Sequence, residues 1–241
     1  MKWLWGIRFA ITEDMKARQF LRKRLRVSQL RILAILFIAA GLFLVEACGR
    51  TMKAQPSCNF VENQNLQRVS WSPNDLPVNL YLDSSVPQQY IPTIEKAIAI
   101  WNQVGQSIAH EDFFVLRSGD PGSSSPTQDG YNKIYFVHTW TSTTDNEQGL
   151  TTVYWAGSRI YEANIRINAT GMFQYFTSST NPNRYSDVDF ESLILHELGH
   201  ALGLAHTTAS DSVMQPSLAN GQIRNTPGPT DYKDLACQYG T

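Results

Sequence analysis

The segment from His196 to His206, which reads HELGHALGLAH, constrains this chain more than any other. Residues four apart lie on one face of an α-helix, so the imidazoles of His196 and His200 can bind one metal ion. Glu197 follows the first of these histidines and can reach a water molecule bound to the same metal. The pattern therefore predicts a helix that carries two metal ligands and a general base.

The third histidine requires the chain to turn. Six further helical residues would place His206 about 9 Å along the axis from His200, too far for a shared ion. Gly203 allows the chain to turn back, because glycine tolerates positive φ. Three histidines with an open fourth position are typical of catalytic zinc. The alternative is a buried helix whose histidines are only hydrogen-bonded. It fits poorly, since three of the chain's five histidines lie in this segment.

Charge is distributed unevenly along the 241 residues. Residues 1–47 carry nine Lys/Arg and three Asp/Glu, a net charge of +6, and the remainder carries −7. The basic head precedes an apolar run from Ile32 to Val45, which is short for a membrane-spanning helix and typical of a signal peptide. We expect residues 1–47 to be a lipoprotein-like signal peptide, with Met1 or Met15 as the start. A signal anchor that is not cleaved is the alternative.

The chain has three cysteines, Cys48, Cys58 and Cys237. The residues VEAC that end at Cys48 resemble the bacterial lipobox, in which the cysteine becomes lipidated. They also suit ordinary signal peptidase and plain secretion. If Cys48 carries lipid, Cys58 and Cys237 remain as a pair, and an oxidising compartment favours a disulfide. Unpaired thiols are the alternative. We expect an exported protein, held in the cell envelope through a lipid anchor in the membrane or secreted.

Residues 48–70 are polar without periodicity and are expected to form a tether, followed by one globular domain over residues 71–241. The acidic charge of the domain and its lack of Lys/Arg clusters argue against nucleic acid as a partner, and we expect a monomer. A period of 3.6 predicts a helix from Pro92 to about Val104. Ser186 or Asp187 can cap the histidine-bearing helix. The predicted strands are 78–82, 113–116, 134–137, 150–155 and 160–167.

The residues after the third histidine point to a family. Met214 follows His206 by eight residues in the sequence SVMQP, and Thr207 follows His206 directly. The combination resembles the metzincin clan of zinc peptidases and, within it, the matrixins, the family of the matrix metalloproteinases and their bacterial relatives. The resemblance covers most of residues 71–240. It implies an α+β fold with a twisted, mostly parallel sheet, packing helices, an active-site helix and a small C-terminal lobe.

The resemblance also implies an activity, the hydrolysis of peptide bonds with one catalytic Zn²⁺. The implied site residues are the zinc ligands His196, His200 and His206, the catalytic residue Glu197, and two structural residues, Gly203 and Met214. Protein or peptide substrates would add as an extended strand to an edge strand at Thr152, Val153 and Tyr154. The family's structural calcium loop has no matching residues here, so Ca²⁺ is left without assigned ligands.

Two other functions share these features. A non-catalytic zinc-binding envelope protein derived from a protease would keep the histidines, although the presence of Glu197 argues against it. A zinc hydrolase that acts on small substrates would share the whole motif. The family's PRCGxPD cysteine switch does not occur in the sequence, so we expect activity without such a switch.

Overall fold

The computed structural model describes residues 58–140, 146–178 and 186–241, together with two short strands near the start of the chain. The strands are β1 (Lys2–Leu4), β2 (Gly6–Ile11), β3 (Val78–Leu82), β4 (Phe114–Leu116), β5 (Asn132–Val137), β6 (Gly149–Ala156), β7 (Arg159–Asn168), β8 (Gln174–Phe176), β9 (Asp187–Asp189) and β10 (Ser217–Ala219). The helices are α1 (Ile91–Ala109), α2 (Phe190–Ala201) and α3 (Pro229–Tyr239). No helix within these ranges is long and apolar enough to cross a membrane. The apolar run 32–45 and Cys48 lie outside them.

A six-stranded sheet forms the centre of the domain, in the order β2-β6-β7-β5-β3-β4. Every neighbouring pair is parallel except β6 and β7, which form an antiparallel hairpin. Gly157 closes this hairpin with a φ of 62°, a conformation that glycine adopts without strain. The predicted α+β fold with a mostly parallel sheet is confirmed.

Helices α1 and α2 pack against each other beside the sheet. The predicted apolar face of α1 is buried, and Trp101 donates from Nε1 to Leu195 O of α2 at 2.9 Å. Helix α1 continues beyond the predicted end to Ala109, where His110 ends it in the left-handed region with a φ of 57°. Every residue of α2 is buried, so the histidine-bearing helix lies inside the domain and its polar groups need partners within the protein.

The predicted cap of the histidine-bearing helix is wrong. Asp189 caps α2 and accepts a hydrogen bond from Ser192 N at 2.7 Å. Asp187, one of the two predicted caps, instead begins β9, and Ser186 lies before that strand. Because β9 pairs with β8, the helix begins two or three residues later than predicted. A side chain can cap only when it lies directly before the first helical turn.

The second half of the predicted tether belongs to the domain. Phe60 and Val69 are buried, and Phe60 pairs with Leu204 in an isolated antiparallel bridge. Asn63 closes a turn between them, because its Oδ1 accepts from Asn65 N and from Gln67 N. Residues 58–70 therefore fold back along the domain. The apolar residues of this stretch follow neither a helical nor a strand period, so the sequence did not predict this packing. They are Phe60, Val61, Leu66 and Val69.

Candidate active site

Three imidazoles converge at the end of α2. The Nε2 atoms of His196 and His200 are 2.8 Å apart, and each lies 3.2 Å from Nε2 of His206. Nitrogen ligands bound to one tetrahedral zinc ion are about 3.3 Å from one another. Among the residues that the structure describes, this is the one group of three or more His, Cys, Asp or Glu side chains that could hold a metal ion.

Backbone carbonyls determine the tautomers of the two helix ligands. His196 Nδ1 lies 2.8 Å from Val213 O, and His200 Nδ1 lies 2.7 Å from Leu204 O. A carbonyl can only accept, so each Nδ1 carries the proton and each Nε2 presents a lone pair. Two lone pairs at 2.8 Å repel each other unless a cation lies between them. The donor set therefore fits zinc.

Burial keeps these histidines neutral. Desolvation lowers the pKa of His200 to about 3 and that of His206 to about 4. The pKa of His196 falls well below its ordinary value, first through desolvation and then through its two histidine neighbours. Neutral imidazole is the form that binds a metal, so the folded site is ready for zinc at neutral pH.

Glu197 is fully buried, and this burial raises the pKa of its carboxyl group to about 8. Its Oε2 accepts a 2.6 Å hydrogen bond from Thr151 Oγ1 of β6. Its Oε1 is buried and makes no hydrogen bond with any residue in the described ranges. A Cβ atom at Gly149 would lie 2.7 Å from Oε1. Glycine at this position therefore leaves room beside the oxygen that has no protein donor.

The turn after α2 depends on glycine. Gly203 has a φ of 95°, and a Cβ atom there would lie 2.3 Å from Val69 O. Met214 is buried, and its Sδ would lie 2.4 Å from a Cβ atom at Gly199. Met214 therefore packs directly on the helix between the two helix ligands.

A carboxylate of α3 supports the segment that contains Met214. Asp231 Oδ1 accepts from Ser212 Oγ, and its Oδ2 accepts from Val213 N at 3.0 Å. Val213 O in turn accepts from His196. A chain of hydrogen bonds thus joins the last helix to His196, the first histidine of the group. Such outer contacts orient a metal ligand.

Comparison with known proteins agrees with this geometry. A family model described as Matrixin matches residues 87–240. The chain belongs to the matrixin family. Family membership and the three-histidine group identify this domain as a zinc metalloprotease domain, which confirms the resemblance found in the sequence.

Several known proteins are similar to this matrixin. Metalloendoproteinase 5-MMP of Arabidopsis thaliana is 36% identical over 53 residues, and matrix metalloproteinase-2 of Drosophila melanogaster is 40% identical over 53 residues. Each match covers 22% of this chain, but only 15% and 7% of the respective relative. Among solved structures, high choriolytic enzyme 1, a hatching enzyme zinc-protease from Oryzias latipes, matches with a TM-score of 0.37 and 16% identity, over 76% of this chain and 94% of that one.

Strand β6 of the matrixin domain contains Thr152, Val153 and Tyr154, the residues predicted to face substrate. In the described sheet β6 is not the edge strand that the sequence predicted, because β2 lies outside it. Gly6–Ile11 pairs in parallel beyond it, from Leu150 to Trp155. The sequence predicted no element of the domain there. An unpaired ladder of backbone donors and acceptors is a template for any extended segment, which accounts for the added strand.

The two cysteines predicted to pair form a disulfide, Cys58–Cys237, with their Cα atoms 6.4 Å apart. Arg68 Nη1 donates to both sulfur atoms at 2.9 Å. The bond joins Cys58, at the start of the segment 58–70, to Cys237 of α3. His138 lies away from the site, where its Nδ1 is 2.9 Å from Ala169 O.

A lysine, rather than a cation from solution, lies between the carboxylates of the loop before β5. Lys133 is fully buried, and its Nζ donates to Asp120 Oδ1 at 3.1 Å and to Ser123 O at 2.7 Å. Asp129 Oδ2 is 4.0 Å away. The loop is held further by Glu162, which accepts from Gly130 N at 2.7 Å. The described residues contain no other group of three or more His, Cys, Asp or Glu side chains that could hold a metal ion, so Ca²⁺ still has no assigned ligands.

Proposed function

We propose that this protein is a zinc-dependent endopeptidase that hydrolyses peptide bonds of extracytoplasmic proteins. The observation that carries the proposal is the pairing of two features in one buried site. Three neutral imidazoles present their Nε2 lone pairs to one point, and Glu197, next to the first of them, keeps a buried Oε1 with no hydrogen bond in the described part of the chain.

In the proposed reaction, the histidines bind the metal and Glu197 transfers the proton. His196, His200 and His206 would hold the zinc ion, which when bound lowers the pKa of water and polarises a carbonyl group. Glu197 Oε1 accepts the proton of the attacking water and passes it to the leaving amine. Without zinc, burial raises the pKa of this carboxyl group to about 8. A cation bound beside it would favour the charged form, which can accept a proton. Thr151 keeps the other carboxylate oxygen in place throughout.

The expected class of substrate depends on how a peptide would pair with β6. A peptide that adds to the outer side of this strand is recognised through its backbone, so its sequence matters little and its extended shape matters most. The parallel pairing of the extended segment Gly6–Ile11 with this side of β6 supports the proposal. Unfolded proteins and long loops are the substrates that present such segments.

Cleavage of a casein-like protein, with and without a chelator, tests the proposed function. We expect cleavage that a chelator abolishes and that added Zn²⁺ restores. A protein that binds zinc and cleaves no peptide would be the non-catalytic alternative. Hydrolysis of small esters or amides without protein cleavage would indicate the zinc hydrolase of small substrates.

We also propose that the protein is exported and bound to the membrane through Cys48. The basic head and the apolar run from Ile32 to Val45 support this, and several acyl chains at about 0.8 kcal/mol per buried CH₂ would anchor it stably. Cleavage before Cys48 would also remove Gly6–Ile11 from β6. The intact mass of the mature protein is the test. An unmodified N-terminus at Cys48 or beyond would indicate plain secretion, and a chain that keeps Ile32–Val45 would indicate a signal anchor.

A further inference from the structure

The three zinc ligands are held in two different ways. The rings of His196 and His200 are each oriented by a carbonyl that accepts from Nδ1. Within the described ranges, His206 has no such carbonyl. Its Nε2 nevertheless lies 3.2 Å from both of the others. The hydrogen bonds that can position this ligand are those of the backbone on either side of it.

The residues on either side of His206 are fixed by hydrogen bonds. Thr207 N donates to Met214 O at 3.0 Å on the C-terminal side. On the N-terminal side, Ala205 is bonded twice to one residue, Asn59. Ala205 N donates to Asn59 O at 2.9 Å, and Asn59 Nδ2 donates to Ala205 O at 2.6 Å.

Asn59 is itself held on its other side. Its backbone lies beside the buried Asp234 of α3, where it partly offsets the rise that burial causes in the pKa of that carboxyl group. The residue before it, Cys58, is bonded to Cys237 of the same helix. The neighbouring Val61 N donates to Gly203 O at 2.9 Å. Residues 58–61 thus connect the last helix to the turn that carries the third ligand.

We propose that Asn59 is a positioning residue for the zinc site, which fixes the backbone of Ala205 and thereby the place of His206. The inference rests on the proposed function only in assuming that the three histidines bind zinc. Removal of the side-chain amide leaves the Ala205 carbonyl without its donor, so the turn loses one of its two bonds to Asn59. His196, whose ring is oriented by Val213 O in another segment, should be unaffected.

The test is the dissociation constant of Zn²⁺, measured by competition with a chromophoric chelator. Asn59→Ala is expected to weaken zinc binding about tenfold, as the loss of an outer contact of a metal ligand does. Asn59→Asp, which places carboxylate oxygens against the Ala205 carbonyl, should weaken it further. The visible spectrum of the Co²⁺-loaded protein should change in both variants, because it reports the geometry of the ligands.

Asn63→Ala is the matched control. This amide lies in the same segment and donates to Gly157 O at 2.8 Å, on the exposed hairpin. Loss of the Asn63 amide should at most lower the melting temperature of the zinc-free protein. The affinity for zinc should not change. Equal zinc affinity in Asn59→Ala and the parent protein, or equal losses in Asn59→Ala and Asn63→Ala, overturns the proposal. If Asn59→Ala does not fold, Asn59→Ser, which keeps a hydroxyl donor, is measured in the same way.

This measurement is independent of catalysis. A protein that shows the expected zinc affinities and cleaves no substrate would contradict the proposed protease and leave the role of Asn59 intact. A protein that cleaves substrate with zinc affinity insensitive to Asn59 would contradict only the positioning role.

Discussion

Thr151 Oγ1 lies 2.6 Å from Glu197 Oε2, in a contact where both residues are fully buried. We expect Thr151→Val to lower kcat by about tenfold with little change in KM. Glu197 has to be a charged carboxylate when it takes up the water proton, and a hydrogen bond to a charged group is worth at least that factor. Thr151→Ser keeps the hydroxyl and should retain most of the activity. Equal kcat in the valine variant and the parent would show that packing alone orients Glu197.

Substitutions of Glu197 and of the histidines should have different effects on zinc binding and on peptide cleavage. Glu197→Ala is expected to retain zinc and to lose peptide cleavage by a factor of about 10² to 10⁴, the usual contribution of a positioned acid–base group. His200→Ala should lose both zinc and cleavage. Zinc content and the rate of casein cleavage, measured on the same preparations, check both expectations. Cleavage by Glu197→Ala at the parental rate would rule out the mechanism.

The zinc-free protein should lose stability as the pH falls. His200 and His206 have pKa values of about 3 and about 4 in the folded protein, compared with an ordinary value of 6.5. Between these values the unfolded chain binds protons that the folded protein does not bind. The contribution of these two histidines to stability is therefore complete above pH 6.5 and decreases as the pH falls towards 4. Urea unfolding of the chelated protein at a series of pH values measures this decrease.

Glu197 has the opposite effect in the same experiment. Its pKa is raised from 4.5 to about 8, so the folded protein keeps a proton that the unfolded chain releases, and stability falls as the pH rises through this range. Glu197→Gln removes this contribution. A Glu197→Gln protein whose stability does not depend on pH between 4 and 6.5 would contradict the assignment of the acid effect to the histidines.

The disulfide should contribute strongly to stability. Cys58 and Cys237 are separated by 179 residues, and closing such a loop is worth about 5 kcal/mol in the chain-entropy model. Replacing both cysteines by serine should lower the free energy of unfolding by up to that amount. Alkylation of the non-reduced, denatured protein gives a direct check, because two reactive thiols at these positions would exclude the bond.

A chain that begins at Cys58 should be active as purified and without a lag. It keeps the bonds of Asn59 to the active-site turn, and it lacks Gly6–Ile11, so the outer side of β6 is open to substrate. A time course of casein cleavage measures the lag. An activity that develops only after further N-terminal trimming would indicate an inhibitory segment within the domain.

The sequence predicted what depends on local spacing. A motif of eleven residues indicated a helix with two histidines on one face, a turn at Gly203 and a third histidine, and these side chains do lie together. The fold class followed from alternating strands and the family resemblance. The distant residues that hydrogen-bond to the site could not be predicted. Thr151 is 46 residues from Glu197 in the sequence, and Asn59 is 146 residues from Ala205. A threonine in a strand or an asparagine in a polar stretch has no feature in the sequence that indicates such a long-range contact.

The bond between Cys58 and Cys237 turns the domain into a closed covalent loop. Proteases are exposed to their own activity, and their surface loops are the segments most easily cut. A single cut between the two cysteines would leave both fragments joined. A cut in a surface loop away from Asn59 and the turn 203–206 would also leave the segment that carries Asn59 attached to the last helix. Such a nicked molecule would migrate as one species without reductant and as two with it, and it would keep the bonds of Asn59 to the turn.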